Sequence, residues 1–382
     1  MKGKEMQMKV LFLTNIPSPY RVDFFNAWGK LCDLTVTFEG TYSKERDTNW
    51  KASRITNFKA LFLKGLRTKA DQFLCPGILP VIKKKYDHVI VGGYSTPTAM
   101  LAILFLQIRK IPFWIEADGG LIHPDSTIKF DIKRHFISSA TGWLSSGQTT
   151  TKYLTHYGAD PACVQWYPFT SLHEKDILMS PVDKCQKKSL RECLSIQTDR
   201  KVVLSVGQFI PRKGFDVLLR AISQCSKEYL FYIVGADPTE EYLGLKSKLC
   251  LENVHFVGFQ KKSELKKYYQ ASDLFVLPTR EDIWGLVINE AMANGLPVIT
   301  TDQCVAGLEL VENSVNGYIV PVDNEKKLAE QITKVLNDDL LRAKMANASI
   351  ARIRPYTIEN MAFVHNEILK SGGRLPCNKT KQ

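Results

Sequence analysis

Residues 278–300 read PTREDIWGLVINEAMANGLPVIT, and the apolar run DLFVL comes directly before them. A short run of β-forming residues that stops at a proline is typical of a buried parallel strand ending at a loop. From Trp284 to Ala293, apolar residues recur at helical spacing, and the Asn-Gly pair that follows is of the kind that ends helices. The pattern therefore predicts a strand, an acidic loop, a helix and a second strand, PVIT.

The predicted loop and helix carry two carboxylates eight residues apart, Asp282 and Glu290. Gly285 stands at the predicted start of the helix, so the N–H groups of Gly285, Leu286 and Val287 have no partner within the helix itself. Such a site suits a ligand with phosphates for the N–H groups and hydroxyls for the carboxylates. The same features also fit an ordinary amphipathic helix, because carboxylates favour the N-terminal end of a helix dipole.

The segment closely resembles the donor-site signature of the retaining GT-B glycosyltransferases of family 4. That signature is an acid, seven further residues and a Glu, with a Gly three residues after the first acid. Asp282 fills the first position, where the family more often has Glu, and Gly285 and Glu290 fill the others. The resemblance implies an α/β fold of two Rossmann-like parallel-sheet domains that face a cleft, with the nucleotide-sugar in the C-terminal domain and the acceptor in the N-terminal one.

Length and composition set further limits. A chain of 382 residues is long enough for two domains, and 45% hydrophobic with 24% charged residues is typical of a soluble globular protein. The longest apolar run, residues 99–106, is shorter than the roughly 20 residues of a membrane-spanning helix. No signal peptide is predicted, because no small-residue cleavage site follows the apolar start. Nine scattered cysteines favour reduced thiols in a cytoplasm over a disulfide framework.

The formal net charge of +12 is unevenly placed. Residues 1–170 hold 22 Lys and Arg against 13 Asp and Glu, whereas residues 171–382 hold 29 against 26. A basic N-terminal half can rest on anionic lipid or bind a phosphate-bearing acceptor, although a solvated surface has the same composition. Nucleic acid is disfavoured, because no zinc-finger, KH or RRM signature is present. The cysteines thus predict a cytoplasmic protein, and the charge split adds peripheral contact at the inner face of the cell membrane as a further hypothesis.

The N-terminal half alternates strands and helices but has no GxGxxG motif, so dinucleotide binding is disfavoured. After a first strand, KVLFLT, the loop predicted at residues 15–21 projects Tyr20 and Arg21 at the strand's carboxyl end, where open α/β sheets bind ligands. In the resemblance this loop faces the acceptor and usually carries a glycine pair, which is missing here. Residues 39–57 are predicted as a mobile polar loop, and residues 58–69 as a strand and turn or as an interfacial segment.

Two carboxylates, Glu116 and Asp118, close the predicted strand IPFWIEAD. Apolar strands rarely end on two acids without a partner, so both residues are candidate catalytic residues. The alternative is a cap, or an ion pair with Lys129 or Arg134. His123, a few residues further on, is a candidate on the acceptor side.

The second half begins with the predicted strand KVVLSV, and GQFIPRKGFD follows it. Gly207 and Gly214 allow a turn, while Arg212 and Lys213 place cations beside a predicted helix N-terminus, where an anion is favoured by both the cations and the helix dipole. This segment resembles the family's phosphate-binding loop, which is normally Gly-Arg a few residues before Lys-Gly. The alternative interpretation is a surface turn.

The match to that loop is incomplete. Lys213 and Gly214 fit it, but Gln208 stands where Arg is usual, and Arg212 is the candidate substitute. Gly258, at the close of the predicted strand VHFVGF, corresponds to the family's base-contacting loop.

The resemblance implies transfer of a hexosyl unit from a nucleotide-diphosphate sugar to a glycan or lipid-linked acceptor, in cell-surface polysaccharide synthesis. Family members retain the anomeric configuration by same-face attack, without a protein nucleophile or a cofactor. Lys213, with Arg212, would neutralise the leaving diphosphate in place of a metal, so no metal site is predicted. Glu290 would accept ribose hydroxyls and Asp282 hexose hydroxyls. A non-catalytic partner subunit of the same fold, with Gln208 and Asp282 as signs of decay, and a sugar-nucleotide epimerase are the alternatives.

The domain boundaries follow from where the alternation stops. Residues 1–170 are predicted as the N-terminal acceptor domain and residues 171–355 as the nucleotide-sugar-binding domain, with a hinge near Pro168. Residues 356–370 are predicted to form a helix that packs back on the N-terminal domain, and residues 371–382 a frayed tail.

Overall fold

The structure, a computed structural model, describes residues 7–41, 54–69 and 72–372. Most of the loop predicted at residues 39–57 lies outside the described residues, and so does most of the tail predicted at residues 371–382.

The chain forms two compact units. Unit 1 consists of Met1–Ser171 together with Tyr356–Gln382, and unit 2 consists of Leu172–Pro355. Unit 2 is therefore one continuous segment, whereas unit 1 is completed by the end of the chain.

Unit 1 is built on a parallel sheet. Its strands are β1 (Lys9–Thr14), β2 (Asp33–Phe38), β3 (Lys59–Phe62), β4 (Leu66–Lys69), β5 (Gln72–Leu74), β6 (His88–Gly92), β7 (Trp114–Ala117), β8 (Gly142–Ser145) and β9 (Val164–Trp166). Seven of them form a sheet in the order β3-β2-β1-β6-β7-β8-β9, with every neighbouring pair parallel. β4 and β5 form a separate antiparallel pair, so the strand and turn predicted at residues 58–69 is confirmed.

The helices of unit 1 cover this sheet. They are α1 (Pro19–Trp28), α2 (Ile78–Ile82), α3 (Pro97–Ile108), α4 (Thr127–Ile137), α5 (Gln148–His156) and, from the far end of the chain, α14 (Ile358–Lys370). Helix α14 packs on α1. Because β1 has β2 on one side and β6 on the other, the carboxyl ends of β1 and β6 form a topological switch point, the place where open α/β sheets bind ligands.

The structure corrects one local prediction near that switch point. Tyr20 and Arg21 lie in the first turn of α1 and not in the loop predicted at residues 15–21. Pro19 occupies the first helical position, where its fixed φ suits the helix and its missing N–H would have had no helical partner. The loop prediction is wrong for these two residues because a proline at this position starts the helix rather than delaying it.

Unit 2 repeats the alternation in one continuous segment. Its strands are β10 (Val202–Gly207), β11 (Leu230–Gly235), β12 (Val254–Val257), β13 (Leu274–Leu277), β14 (Val298–Thr301) and β15 (Gly317–Val320). They form a sheet in the order β12-β11-β10-β13-β14-β15, and every neighbouring pair is parallel. The parallel sheets of the two units confirm the predicted α/β fold class.

The helices of unit 2 lie before, between and after these strands. They are α6 (Lys184–Cys193), α7 (Phe215–Ile222), α8 (Glu240–Lys248), α9 (Lys262–Ala271), α10 (Leu286–Ala293), α11 (Val305–Leu310), α12 (Glu325–Asn337) and α13 (Asp339–Ile353). The strand, loop, helix and strand predicted around residues 278–300 are β13, α10 and β14 with the loop between the first two. Across the described ranges, no helix is both long and apolar enough to cross a membrane.

Candidate functional site

The two segments of unit 2 that the sequence singles out lie against each other. β10 and β13 are neighbouring parallel strands, so the loops that follow them open at the same edge of the sheet. The loop after β10 contains a 3-10 turn, Pro211–Lys213. The carbonyl oxygen of Arg212 in this turn accepts from the N–H of Arg280 at 2.8 Å and from Thr279 Oγ1 at 2.9 Å. The phosphate-loop candidate is thus hydrogen-bonded to the acidic loop.

Gly214 makes this close approach possible. It has φ +68° and precedes α7, and a Cβ at this position would stand 2.0 Å from the carbonyl oxygen of Pro278. Both the backbone conformation and the contact exclude a side chain, so only glycine fits.

Arg280 is a site residue that the sequence analysis missed. Its Nη1 and Nη2 bind the carboxylate of Asp216 at 2.9 and 2.7 Å, and its Nε binds Asp323 Oδ1 at 2.7 Å. Nη1 also donates to the carbonyl oxygen of Pro211 at 2.6 Å. The hydrogen bonds that Arg280 donates to Asp216 outweigh the effect of burial and raise the pKa of Arg280. Arg280 is therefore a cation that holds the turn in place, and an arginine inside the acidic loop PTRED is the signal that could have identified it.

Lys213 and Asp282, separated by 69 residues in sequence, form an ion pair at the mouth of the two loops. Lys213 Nζ lies 2.5 Å from Asp282 Oδ2, and the two side chains are 14% and 13% exposed. Arg212 is more exposed, at 46%, with Nη1 3.8 Å from Asp282 Oδ1 and 2.8 Å from the carbonyl oxygen of Glu281. A diphosphate bound here would compete with Asp282 for both cations.

The acidic loop is fixed from its other side by the segment after β14. Asp282 forms an isolated parallel bridge with Cys304, and the carbonyl oxygen of Trp284 accepts from the N–H of Ala306 at 2.8 Å. The buried indole of Trp284 also donates to Asn289 Oδ1 in α10 at 2.9 Å. These contacts connect the position of Asp282 to that of the helix that follows.

Helix α10 presents its N-terminus at this edge. Gly285 is the N-cap residue with φ +99°, and a Cβ there would stand 2.9 Å from Cys304 Sγ. Among the described residues no side chain caps this helix, so the N–H groups of Gly285, Leu286 and Val287 lie where a bound anion could accept from them.

Glu290 lies further along α10 and is oriented by a buried tyrosine. Tyr269 Oη donates to Glu290 Oε2 at 3.0 Å. Burial, followed by the charge of Glu290, raises the pKa of Tyr269 well above its usual value, so the phenol keeps its proton. Tyr269 was not predicted as a site residue, since nothing in its local sequence pattern indicates which residue it contacts.

The remaining donor-side candidates lie at the same edge of the sheet. Gly207 is the last residue of β10, and the carbonyl oxygen of Gln208 accepts from the N–H of Ile210 at 2.9 Å. Gly258 follows β12, which is two strands away from β10. A Cβ at Gly258 would make only an ordinary contact, 3.4 Å from Asp237 Oδ1, so crowding does not require glycine there.

In unit 1 the two acidic residues at the end of β7 share one cation. Arg21, which is 5% exposed, binds Glu116 Oε1 through Nη1 at 2.5 Å and Asp118 Oδ1 through Nη2. The guanidinium carbon lies 5.6 and 5.7 Å from the ring centroids of Phe12 and Phe169. The structure thus brings Arg21, Glu116 and Asp118 together.

One of the alternative partners considered for Glu116 and Asp118, Lys129, pairs with a different carboxylate. Lys129 Nζ lies 3.1 Å from Asp125 Oδ1, so the suggested pair with Glu116 or Asp118 is wrong for this residue. A partner 95 residues away in sequence, Arg21, has displaced the local one.

Two further side chains complete this cluster, and neither was predicted. His365 of α14 is fully buried, with Nε2 2.9 Å from Glu116 Oε2 and Nδ1 2.7 Å from the carbonyl oxygen of Met361. Tyr167 Oη donates to Asp118 Oδ1 at 3.0 Å.

The two carboxylates of the cluster differ in their acidity and in their access to solvent. Burial alone would raise the pKa of Glu116, but Arg21 and His365 outweigh it and lower the pKa to about 2. Burial and the nearby Glu116 charge raise the pKa of Asp118 in spite of Arg21. The Glu116 side chain is 0% exposed, whereas that of Asp118 is 29% exposed, so Asp118 is the carboxylate that a ligand can reach.

Tyr20 and His123 are close to this cluster in sequence. The structure places the first against an aromatic ring and the second in a surface pocket. The Tyr20 ring packs edge-on against Phe169, with centroids 5.8 Å apart. His123 lines a surface pocket of about 620 Å³ in unit 1. The pocket is lined by Ile122, His123, Pro124, Asp125, Thr127, Phe130 and His156.

Comparison with known proteins adds three findings. A family model described as "Glycosyl transferases group 1" matches residues 186–352. An uncharacterized glycosyltransferase of Methanocaldococcus jannaschii is 30% identical over 265 residues, which are 69% of each chain. A lipopolysaccharide core biosynthesis glycosyltransferase of Rhizobium meliloti is 28% identical over 157 residues, or 41% of this chain and 45% of that protein.

Solved structures match over nearly the full length. A crystal structure of Anabaena HepE in complex with UDP and glucose superposes with a TM-score of 0.76, covering 95% of this chain and 100% of that one at 20% identity. This likeness confirms the predicted GT-B type of fold. The chain spans about half the length of the curated relatives it matches in sequence, with 46%, 47% and 52% of three of them aligned.

Proposed function

Because the chain belongs to the glycosyl transferases group 1 family, we propose that it transfers a hexosyl unit from a nucleotide-diphosphate sugar to a glycan or lipid-linked acceptor. The observation that carries this proposal is the junction of the two loops in unit 2. There Lys213, Arg212 and the N-terminus of α10 meet the carboxylate of Asp282 at one edge of the sheet.

The donor side of the proposal rests on charge that grows during the reaction. When the bond to the sugar breaks, negative charge develops on the diphosphate, and fixed donors aimed at that charge stabilise the transition state. Lys213 is held by the hydrogen bonds around Arg212, and the N–H groups of Gly285, Leu286 and Val287 add donors that need no reorganisation. These groups supply the positive potential that a divalent metal supplies elsewhere, so the proposed reaction is metal-independent.

The carboxylates of unit 2 would recognise the rest of the donor. Glu290, oriented by Tyr269, would accept hydroxyls of the ribose, and Asp282 would accept hydroxyls of the hexose once the diphosphate engages Lys213. Gly258 and Gln208 stand at the same edge, where they would contact the nucleotide and its phosphates.

On the acceptor side, Asp118 would bind a hydroxyl of the acceptor. Its carboxylate is partly exposed at the end of β7, and Arg21 and Tyr167 hold one of its oxygens. Tyr20 and His123 would contact more distant parts of the acceptor. The anomeric configuration would be retained by same-face attack, with the departing phosphate taking the proton of the attacking hydroxyl.

The first test is incubation of the purified protein with a panel of nucleotide-sugars, beginning with UDP-glucose because HepE was solved with UDP and glucose. A transferase releases nucleoside diphosphate, a non-catalytic partner subunit releases none, and an epimerase forms an isomer of the donor. NMR of the product gives its anomeric configuration, and turnover in excess EDTA tests metal independence. Release of no nucleoside diphosphate from any donor, with or without acceptors, would contradict the proposal.

Arg212 offers a test of how the diphosphate is bound. If Arg212 compensates for Gln208, then Arg212→Ala should weaken nucleoside diphosphate binding by roughly tenfold, the loss of one charge-assisted hydrogen bond, and Gln208→Arg should preserve or strengthen it. Isothermal calorimetry of both variants measures this. Unchanged affinity in Arg212→Ala would leave Lys213 and the helix N-terminus as the phosphate contacts.

We further propose that unit 1 works at an anionic membrane surface on a lipid-linked, phosphate-bearing acceptor. The segment 58–69 presents apolar and basic groups together, with Leu66 74% and Phe62 47% exposed beside the exposed Lys59, Lys64 and Lys69. Each such cation contributes about 1 kcal/mol near an anionic surface, so three of them support reversible binding that salt weakens. The relative from Rhizobium meliloti, named for lipopolysaccharide core synthesis, supports an acceptor of this class.

Vesicle sedimentation tests this membrane proposal. Pelleting with anionic vesicles should be strong at low salt and weak at high salt, and Lys64→Glu with Lys69→Glu should reduce it. Arg67 is left unchanged because its guanidinium packs 4.8 Å from the Phe73 ring centroid. Lys326→Glu with Lys344→Glu, two exposed positions in unit 2, is the control with the same change in net charge. Equal loss in both double variants would contradict a specific role for this segment.

A further inference from the structure

A continuous series of ionisable side chains joins α14 to the acidic end of β7. His365 Nε2 lies 2.9 Å from one oxygen of Glu116, and the other oxygen of Glu116 binds Arg21 Nη1 at 2.5 Å. Arg21 Nη2 in turn binds Asp118 Oδ1. The contact between His365 and Glu116 spans 249 residues of sequence, and the whole series stays within unit 1.

Solvent reaches this series at one end. The side chains of His365 and Glu116 are 0% exposed and that of Arg21 is 6% exposed, whereas that of Asp118 is 29% exposed. A ligand that approaches the end of β7 therefore meets Asp118, and the other three groups can act on the ligand only through Asp118.

The position of the His365 ring is tightly defined. Its centroid lies 4.5, 4.9 and 5.2 Å from the ring centroids of Tyr167, Phe24 and Trp28. Both ring nitrogens face oxygen acceptors, Glu116 Oε2 and the carbonyl oxygen of Met361. The packing and the two contacts together hold Nε2 at Glu116 Oε2.

The two contacts of the Asp118 carboxylate use the same oxygen, so its other oxygen can face a ligand. Within the described part of the chain, Arg21 and Tyr167 both bind Oδ1, and Oδ2 takes part in neither contact. The orientation of Oδ2 therefore depends on where Arg21 and Tyr167 hold Oδ1.

We propose that His365 is a positioning residue for the Asp118 carboxylate, acting through Glu116 and Arg21. Without His365, Glu116 would lose its contact at Oε2 and would draw the Arg21 guanidinium away from Asp118. Asp118 would then lose part of the charge-assisted bond that orients it. The inference rests on the proposed function for its consequence, since that function makes Asp118 the contact with the acceptor hydroxyl.

The carboxyl group of Asp118 provides a readout that needs no turnover. Protein labelled with ¹³C at the aspartate carboxyls is titrated by NMR, with Asp118→Asn identifying the resonance. His365→Phe keeps a ring but removes both nitrogens, and Asp118 should then titrate at higher pH because Arg21 stabilises its charged form less. His365→Gln has an amide that can still donate to Glu116. In this variant the titration of Asp118 should return part of the way to that of the wild type. If His365→Phe does not fold, His365→Asn, whose shorter amide does not reach Glu116, takes its place.

His135→Asn, an exposed histidine of the same unit, is the matched control and should leave the Asp118 titration unchanged. The proposal is overturned if Asp118 titrates identically in wild type and in a folded His365→Phe or His365→Asn protein. It is also overturned if His135→Asn shifts the titration as much.

Kinetics separate positioning from a purely structural role. His365→Phe should raise the acceptor KM by about tenfold, as displacement of a contact group does, while the donor KM and the nucleoside diphosphate affinity stay unchanged. A purely structural role would lower thermal stability and the active fraction without moving either KM, which would overturn the proposal. If the wild type uses no nucleotide-sugar, the proposed function fails, and the Asp118 titration still decides the positioning.

Discussion

Lys213→Ala is expected to lower kcat by roughly two orders of magnitude or more, because one preorganised donor to the developing charge is lost. Lys213 is held in place, because its Nζ is 2.5 Å from Asp282 Oδ2 and the turn that carries it is hydrogen-bonded to the acidic loop. Initial rates with saturating donor, or slow donor hydrolysis, measure the effect. The drop should appear mainly in kcat, because the interaction strengthens as the leaving diphosphate gains charge.

Two controls make this result interpretable. Lys344→Ala removes an exposed lysine of unit 2 and should leave the rate unchanged. Thermal unfolding of Lys213→Ala is measured alongside, because both side chains of the Lys213–Asp282 pair are mostly buried and its loss also costs stability, so the rate is compared for folded protein. A rate within a few-fold of wild type would remove Lys213 from the mechanism.

Arg21→Met is expected to lower the free energy of unfolding of unit 1 by about 3–5 kcal/mol, the usual cost of leaving a buried charge without its partner. Glu116 would keep His365 as a partner, and Asp118 would keep Tyr167, but the cation between the two carboxylates would be gone. Urea unfolding followed by tryptophan fluorescence measures the loss, since Trp28 belongs to the same buried cluster.

The free energy of unfolding that Arg21→Met loses should depend on pH. The cluster lowers the pKa of Glu116 from 4.5 to about 2, so its stabilisation is present above about pH 4.5 and disappears as the pH falls toward 2. The difference between wild type and Arg21→Met should therefore be larger at pH 7 than at pH 3. Arg21→Met combined with Glu116→Gln should be more stable than the sum of the single changes predicts, because the unpaired charge is removed. Equal stability of Arg21→Met and wild type at pH 7 would contradict this account.

The elements that could be predicted from sequence are those set by local pattern. β13, α10 and β14 follow from one apolar run, one helical period and the turn residues between them. The phosphate-loop candidate could be identified because Lys213 and Gly214 stand at a strand-to-helix turn. That the two loops lie close together could also be predicted, because the carboxyl ends of parallel strands lie at one edge of a sheet.

The parts that could not be predicted depend on contacts between distant residues. The pairing of Arg21 with Glu116 spans 95 residues, and that of His365 with Glu116 spans 249, so neither leaves a periodic signal. In the same way, the ion pairs of Lys187 and Arg191 in α6 with Asp273, directly before β13, join residues far apart in sequence. Burial of these charges is favourable only once the partner is present, and the partner is set by the fold.

The division of the chain into a continuous and a discontinuous unit has a consequence for its synthesis. Residues 1–171 leave the ribosome before unit 2, and α14, which packs on α1 and supplies His365, leaves it after unit 2. Domains generally fold as units while the chain emerges. Unit 2 can thus complete its sheet before α14 has emerged, whereas Glu116 in unit 1 gains its contact with His365 only after unit 2 has been synthesised.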